Sequence, residues 1–242
     1  MEFFKLVQIL AFLTCFKSSL AAYSVSFRRP CHDTSPACLK KTVQAGIPII
    51  ALGLPELGIE RLDPYILKKL NLKLPGGLTI QFIHGFAKGL KSCIVDYARF
   101  EEDTFETQLH CNLTIKGKYR SSGRLLLFPI DGDGDTTISC KNLKLHSVIK
   151  LGSKVKSDGL RYFDIKSSSI DHSYDGQVSY IMTNLFRGSP EISQALLNFM
   201  NSNWKLVAEE FGTPIVDYGT NAVMRNVRRL LEIVPIEEFN KL

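Results

Sequence analysis

Residues 131–135 carry the most regular pattern of chemically active side chains in the sequence, Asp-Gly-Asp-Gly-Asp. Carboxylates at alternate positions are typical of the calcium-binding loop of an EF-hand. The other positions disagree, because Thr136 stands at the sixth position, where glycine is required, and Asn142 at the twelfth, where a bidentate glutamate binds the ion. Asp and Gly also favour turns, so we expect a hairpin turn here and no metal site.

The remaining candidate catalytic residues form no recognisable constellation. The sequence contains no Gly-x-Ser-x-Gly, no His-Glu-x-x-His and no glycine-rich phosphate-binding loop. Its histidines are far apart in sequence, and a solvated or structural role is favoured for each. They are His32, His84, His110, His146 and His172. We therefore expect a protein that is not an enzyme and needs no cofactor.

The first residues are typical of a secretory signal peptide. Lys5 precedes an apolar stretch from Leu6 to Phe16, and the small residues Ser19 and Ala21 lie where signal peptidase requires them. Cleavage after Ala21 makes residues 1–21 the signal peptide and residues 22–242 a single secreted domain. The apolar stretch is shorter than the roughly 20 residues that cross a bilayer, so stable membrane insertion is not expected.

The charge distribution argues against a nucleic-acid partner. The formal net charge is +6, and the lysines and arginines are scattered without a dense cluster that alternates with aromatic residues. Such clusters are the usual mark of surfaces that bind phosphates. A solvated basic surface is therefore favoured over attraction to anionic membranes.

The cysteines are expected to form disulfides in an oxidising compartment. Cys31 and Cys38 enclose a turn-rich loop, and they lack the second half of a Cys/His zinc site. They are the predicted first pair. Cys93, Cys111 and Cys140 then share at most one further bond.

Strand-like alternation from Leu78 to about Ser179 predicts an extended antiparallel sheet. The clearest part is a hairpin in which 94–100 and 105–118 are joined by a polar turn centred on Glu102. This register places Cys93 opposite Cys111, which predicts the second disulfide.

The same alternation gives the predicted hairpin two distinct faces. Leu109 and Cys111 lie on the apolar face, and Asn112 lies on the face turned to solvent. Asn112 begins the sequon Asn-Leu-Thr, so it is the predicted glycosylation site.

Three other segments lead to predictions about local structure. Residues 121–123 predict a turn, followed by the strand 125–128, which is apolar on both faces and must be covered on both. Residues 39–74 predict a cap of short helices. Within this cap, Asp63 is expected to cap a helix that Pro64 opens.

The C-terminal third predicts a long amphipathic helix. Ser189 suits the N-cap and Pro190 the first helical position, and residues 190–212 would span about 35 Å. Pro214 is expected to kink or restart the helix, which continues to about Val234. The predicted inward arc consists of Ile192, Ala195, Leu196, Phe199, Met200, Val207 and Phe211.

Sheet and helix together leave two alternatives open. They could pack into a solid core, as most protein interiors do. Alternatively, a curved sheet could wrap the helix loosely and leave a concave, mostly apolar ligand site. Composition does not choose between the two.

Several short motifs, in their order and spacing, resemble the insect takeout and juvenile-hormone-binding proteins. The early cysteine pair comes first, and the similarity extends over nearly the whole of residues 22–242. The other motifs are Gly-Leu-Pro-Glu-Leu-Gly-Ile at 53–59, Leu-Asp-Pro at 62–64, Gly-Lys-Tyr at 117–119, Phe-Pro-Ile-Asp-Gly-Asp-Gly-Asp at 128–135, Asn-Leu-Phe-Arg-Gly at 184–188 and Asn-Ser-Asn-Trp at 201–204.

The resemblance implies an α+β fold, a single tubular lipid-binding module in which a strongly curved antiparallel sheet wraps a long C-terminal helix. It implies a carrier of a terpenoid hormone or a fatty-acid-like lipid, found in haemolymph or chemosensory fluid and linked to feeding or circadian physiology. The expected ligand-binding residues are Tyr119, Phe128, Leu196, Met200, Val207 and Phe211. The alternative is a secreted protein with a solid core that engages a receptor.

Overall fold

The computed structural model describes residues 33–239. The predicted signal peptide, residues 1–21, and the predicted Cys31–Cys38 bond therefore lie outside the described residues. In chain order the strands are β1 Tyr65–Lys73, β2 Thr79–Lys88, β3 Ile94–Glu101, β4 Thr104–Leu125, β5 Phe128–Val155, β6 Arg161–Tyr174 and β7 Val178–Met182. The helices are α1 Pro36–Leu52, α2 Pro190–Ser202, α3 Trp204–Phe211, α4 Thr213–Ile233 and the single turn α5 Ile236–Phe239.

The described strands form one curved, unclosed antiparallel sheet of seven strands, in the order β1-β2-β4-β5-β6, with β3 added to β4 and β7 added to β5. Strands β4 and β5 form its long central hairpin, which pairs from Thr104 and Lys150 at one end to Leu125 and Phe128 at the other. With the C-terminal helices packed on the sheet, the predicted α+β class is confirmed.

The predicted first hairpin is confirmed, but the predicted register holds only near Cys93, because a bulge at Asp96 shifts the pairing by one residue from Tyr97 to Glu101. Val95 pairs with Leu109, and the chain turns at 102–103. Cys93 and Cys111 are joined by a disulfide with their Cα atoms 4.4 Å apart. Local alternation was sufficient to place the two strands and the disulfide, whereas the bulge, which allows a two-residue turn, is a detail that alternation does not predict.

The predicted second hairpin is wrong in position. Ser121 and Ser122 continue strand β4, and the two-residue turn lies at Leu126 and Leu127, within the segment predicted as a strand. Leu126 adopts a φ of 53° to make this turn. Cross-strand pairing along the whole of β4 and β5 sets the turn, and this long-range pairing overrides the local turn preference of Ser and Gly.

The Asp-Gly repeat at 131–135 is also not a turn. It lies within β5 and pairs with residues 118–122 of β4. A Cβ on Gly132 would lie 2.5 Å from the carbonyl oxygen of Asn184, and one on Gly134 would lie 2.4 Å from that of Thr183. Glycine is therefore needed because the segment after β7 crosses directly over this strand.

The predicted cap of short helices is replaced by one long helix and a strand. Residues of α1 pack on β3, where the Gln44 side chain donates to the carbonyl of Cys93 (2.9 Å) and accepts from the N–H of Val95 (2.7 Å). Pro64 opens no helix, since β1 begins at Tyr65. The alternating burial of β1 against the core outweighs the helix-start signal of an Asp-Pro pair.

Asp63 has a different role from the predicted helix cap. Its side chain is 4% exposed, and Oδ2 accepts hydrogen bonds from the N–H groups of Gly89 (3.1 Å) and Lys91 (2.9 Å). Asp63 therefore ties the start of β1 to the turn that follows β2.

The C-terminal helix is confirmed as helical but is broken twice. Asn203 separates α2 from α3 with φ −112° and ψ 34°, and Gly212 precedes α4, which restarts next to Pro214 as predicted. The Ser189 side chain makes no capping hydrogen bond. The predicted inward arc is wrong at Ile192, which is 50% exposed, and at Ala195, which is exposed, because α2 turns Ser193, Leu196 and Met200 towards the core.

Helix α4 lies across the open side of the sheet and contacts both β1 and β6. The hydroxyl groups of Tyr65 on β1 and Tyr218 on α4 are 3.4 Å apart. Asn226 is 2% exposed, and its amide accepts from the N–H of Glu60 (3.0 Å) and donates to its carbonyl (2.7 Å). The helix thus connects β1 and β6, the first and last strands of the main strand order.

Candidate ligand-binding interior

The concave side of the sheet and the helices α2 and α3 enclose one apolar cluster. Five of the six predicted ligand-binding residues belong to it, and each is at most 6% exposed. They are Tyr119 from β4, Leu196 and Met200 from α2, and Val207 and Phe211 from α3. The structure therefore brings together side chains separated by up to 92 positions in the sequence, counting from 119 to 211.

Phe128 does not belong to this cluster. It is the first residue of β5, it is 41% exposed, and its ring centroid lies 5.2 Å from that of Phe199. The prediction assumed a strand at 125–128, and the shift of the turn moves Phe128 to the end of the central hairpin. It lies at the rim of the enclosed space, beside α2.

Sequence reasoning missed the part of the cluster that comes from β7 and from the segment after it. Val178, Tyr180 and Met182 alternate towards the interior, and Leu185 follows at 2% exposure. The period-2 spacing of the first three residues was a usable signal. Leu185 lies in a loop, and no periodic pattern in the sequence indicated that it is buried.

The polar groups of the interior are paired or uncharged. The Tyr119 hydroxyl donates to the carbonyl of Thr183 (2.8 Å), and the Asn201 amide pairs with both the N–H and the carbonyl of Tyr180 (2.9 and 2.8 Å). Burial raises the pKa of Tyr119 and of Tyr180 above the usual value for a phenol, so both stay neutral at physiological pH. An enclosed space lined in this way offers an apolar ligand no charge to desolvate.

Cys140 is the free cysteine of the described residues, and it lies beside this cluster. Burial raises the pKa of its thiol to about 11. The thiol is therefore protonated at neutral pH and is not an activated nucleophile.

Apolar side chains on the concave face are not all fully packed. Ile115 pairs with Ile138, and Ile138 pairs with Tyr180. Both isoleucines contact the cluster yet remain only partly buried. These two side chains therefore face the interior without being fully covered by it.

A cavity of about 620 Å³ opens where α4 meets β6. It is lined by Ser168 and Ile170 from β6 and by Tyr218, Met224 and Arg225 from α4, among others. A smaller cavity of about 310 Å³ lies further along β6, where His172 and Tyr174 meet Lys205 and Glu209 of α3. The seam between the helices and β6 is therefore looser and more polar than the interior.

The structure places the predicted glycosylation residue in a strand of the sheet. Asn112 is exposed in β4, and its Oδ1 accepts from the N–H of Asn142 (2.9 Å). Its glycosylation stays a prediction. Between residues 33 and 239 we find no group of three or more His, Cys, Asp or Glu side chains placed to hold a metal ion.

No helix in the described part of the chain combines the length and the apolar character needed to span a bilayer.

Comparisons with known proteins agree with this architecture. A family model described as haemolymph juvenile hormone binding protein matches residues 9–241. The chain is 24% identical over 247 residues to "Circadian clock-controlled protein daywake" of Drosophila melanogaster, covering 96% of this chain and 94% of that protein. The protein of the same description from Drosophila yakuba is 22% identical over 232 residues, covering 87% of this chain and 86% of that protein.

A solved structure shares the fold. The crystal structure of Epiphyas postvittana Takeout 1 superposes with a TM-score of 0.79 at 31% sequence identity. The superposition covers 85% of this chain and 95% of that chain.

Proposed function

Because the chain belongs to the haemolymph juvenile hormone binding protein family, we propose that it is a secreted carrier of a small apolar ligand, either a terpenoid hormone or a fatty-acid-like lipid. The family is one of binding proteins, not of enzymes. The ligand would occupy the enclosed space between the concave face of the sheet and helices α2 and α3. No cofactor is required for such binding.

The observation that carries this proposal is the partial accessibility of two inward-facing isoleucines on the concave face. Ile115 and Ile138 point into the enclosure and remain partly accessible, while the cluster around them is almost fully buried. An apolar site bounded by neutral tyrosines would suit a ligand with little polarity. Each Å² of apolar ligand surface removed from water would contribute roughly 25 cal/mol to binding.

A matched pair of tryptophan substitutions tests the location of the ligand. Ile138→Trp adds bulk on the concave face, whereas Ile181→Trp adds the same bulk to a side chain that is 64% exposed on the neighbouring strand β7. We expect the first variant to bind a fluorescent fatty-acid probe at least tenfold more weakly than the unaltered protein. The second is expected to bind within about twofold of it.

Native mass spectrometry and solvent extraction of the secreted protein provide the complementary measurement. A co-purifying apolar molecule in stoichiometric amount is expected. A protein that is consistently empty and binds no lipid probe would instead support a solid-core protein that engages a receptor.

Secretion and physiological context belong to the same proposal. The family description names haemolymph, and two relatives are described as circadian clock-controlled. We therefore expect the chain to leave the cell after removal of residues 1–21, and its abundance to vary with time of day or feeding. N-terminal sequencing of the secreted protein and sampling over a light cycle test these points.

A further inference from the structure

The outer face of the sheet collects basic side chains that are dispersed in the sequence. In strand β4, the side chain of Tyr119 is buried in the interior. The cationic side chains on either side of it point to the outer face of the sheet. Pairing across β1, β2 and β4 adds two lysines of β1 to the same surface. The set consists of Lys68, Lys73, Lys116, Lys118, Arg120 and Arg124, and we call it the basic face.

All six side chains of the basic face are exposed, and none of them forms an ion pair with another described residue. The sequence from 64 to 95 contains no Asp or Glu, and neither does that from 107 to 130. Strand β5 borders this face with Asp131, Asp133 and Asp135, and the guanidinium of Arg187 approaches the first two within 3.6 and 3.9 Å. The cations of β1 and β4 thus remain in excess.

Exposed apolar side chains lie on and beside this basic face. Ile66, which is 63% exposed, occupies its β1 portion and pairs with Phe86. At the end of the central hairpin, Leu127 is 91% exposed, three residues after Arg124. Lys73 reaches the same end of the sheet, because its partner Thr79 pairs with Ser122 of β4.

We propose that the basic face and the hairpin tip at Leu127 dock this protein on an anionic lipid bilayer. The lysines and arginines would contact lipid phosphate and carboxylate groups, and Leu127 would enter the interfacial region. A lipid surface is favoured over an acidic protein or a nucleic acid because Leu127, 91% exposed at a tight turn, would bury apolar surface in a bilayer but not against a polar partner. The proposed contact is peripheral and reversible, since it consists of surface charges and one apolar side chain at a turn.

Docking in this orientation would bring the rim of the enclosure to the membrane. Phe128, the residue after the hairpin tip, packs against Phe199 of α2. An apolar ligand leaving the bilayer at this point would avoid transfer through water. This inference extends the proposed carrier function, but vesicle binding needs no ligand and is measured separately.

Co-sedimentation with vesicles tests the electrostatic part. The protein is expected to bind vesicles of phosphatidylcholine with phosphatidylserine at low salt, to leave them at high salt, and to bind neutral phosphatidylcholine vesicles weakly. Each basic residue near an anionic bilayer contributes about fivefold to affinity. Reversing two charges at the tip, Lys73→Glu with Arg124→Glu, should weaken binding at least tenfold.

The matched control changes net charge equally at another surface. Lys40→Glu with Lys41→Glu alters two exposed lysines of α1, and binding should stay within about twofold of the unaltered protein. An equal loss in both double variants would show that only net charge matters, and would overturn the assignment of this face. Absence of binding to anionic vesicles at low salt would overturn the proposal entirely.

A second pair of variants separates a bilayer from an acidic macromolecule. Leu127→Asp should weaken vesicle binding about tenfold or more, whereas Val155→Asp, at a site 68% exposed at the end of β5, should not. Polyglutamate binding that equals vesicle binding and is unaffected by Leu127→Asp would assign the surface to an acidic partner and refute docking on lipid. If the docking proposal is wrong but the carrier function is right, the protein will still bind the fluorescent fatty-acid probe in the absence of vesicles.

Discussion

Glu106 binds three side chains through its carboxylate. Its carboxylate accepts from the Tyr97 hydroxyl (2.6 Å), from the His146 ring nitrogen (2.8 Å) and from Arg99 Nε (2.6 Å). These interactions, the Tyr97 hydrogen bond first among them, lower the pKa of Glu106 from 4.5 to about 2. They join β3, β4 and β5.

The lowered pKa of Glu106 makes stability depend on pH in a defined window. An acid whose pKa is lower in the folded chain stabilises it fully above the unfolded pKa of 4.5, and the stabilisation is lost as pH falls towards 2. Glu106→Gln should therefore be less stable than the unaltered protein at pH 7, and the difference should shrink between pH 4.5 and about 2. Urea unfolding across this range measures it.

The control for this prediction is Glu102→Gln, at the exposed turn of the first hairpin. It should follow the unaltered protein at every pH. A stability difference for Glu106→Gln that is independent of pH would contradict the role assigned to the ionised carboxylate.

At the scale of elements, the fold depends on a close crossing over β5. Residues 183–187 run across the Asp-Gly repeat, with hydrogen bonds from the N–H of Thr183 to the carbonyl of Asp135 (3.0 Å) and from that of Arg187 to the carbonyl of Asp131 (2.9 Å). This crossing delivers Leu185 to the interior and leads the chain into α2. Its geometry leaves no room for a side chain at 132.

Gly132→Ala should therefore be destabilising. The new Cβ would lie 2.5 Å from the backbone oxygen of Asn184 and 2.6 Å from that of Leu185, and backbone atoms cannot rotate away. We expect a loss of about 1–3 kcal/mol in the free energy of unfolding, as for other overpacked sites. Thermal or urea unfolding provides the measurement.

Gly46→Ala is the matched substitution, because a Cβ at this position inside α1 meets nothing within 4 Å. It should stabilise the protein by about 0.5–1 kcal/mol through the higher helix propensity of alanine. Effects of the same sign and size at both glycines would show that crowding at 132 is not the cause.

At the scale of the whole molecule, α4 closes the space that the sheet leaves open. The amide of Asn226 is the buried polar link in this closure, since it binds both backbone groups of Glu60. Further along the helix, Arg229 Nε donates to the carbonyl of Leu57 (2.9 Å). The helix is thereby attached to the segment that leads into β1, as well as to the strand itself.

Asn226→Ala should lower the free energy of unfolding by about 1–3 kcal/mol, because the N–H and carbonyl of Glu60 would lose their partner. Asn221→Ala, exposed on the same helix, should change it by less than about 0.5 kcal/mol. Urea unfolding of the two variants compares them directly. Equal effects would mean that α4 contributes by its apolar contacts alone.

Local patterns in the sequence determined the first hairpin, its disulfide between Cys93 and Cys111, the helical C-terminal third and its restart next to Pro214. Each of these depends on residues close together in the chain, where alternation, a turn or a proline restricts the backbone directly. The family motifs, read in order, also indicated the curved α+β fold.

Only the tertiary structure decided which residues meet over long distances. The pairing of β4 with β5 moved the turn to Leu126 and Leu127, placed the Asp-Gly repeat inside a strand and shifted Phe128 to the rim. The pairing of β1, β2 and β4 placed on one surface the lysines and arginines of the basic face, which are dispersed in the sequence. Such outcomes are settled by the sum of many pairings and contacts between distant segments, and a local pattern does not contain that sum.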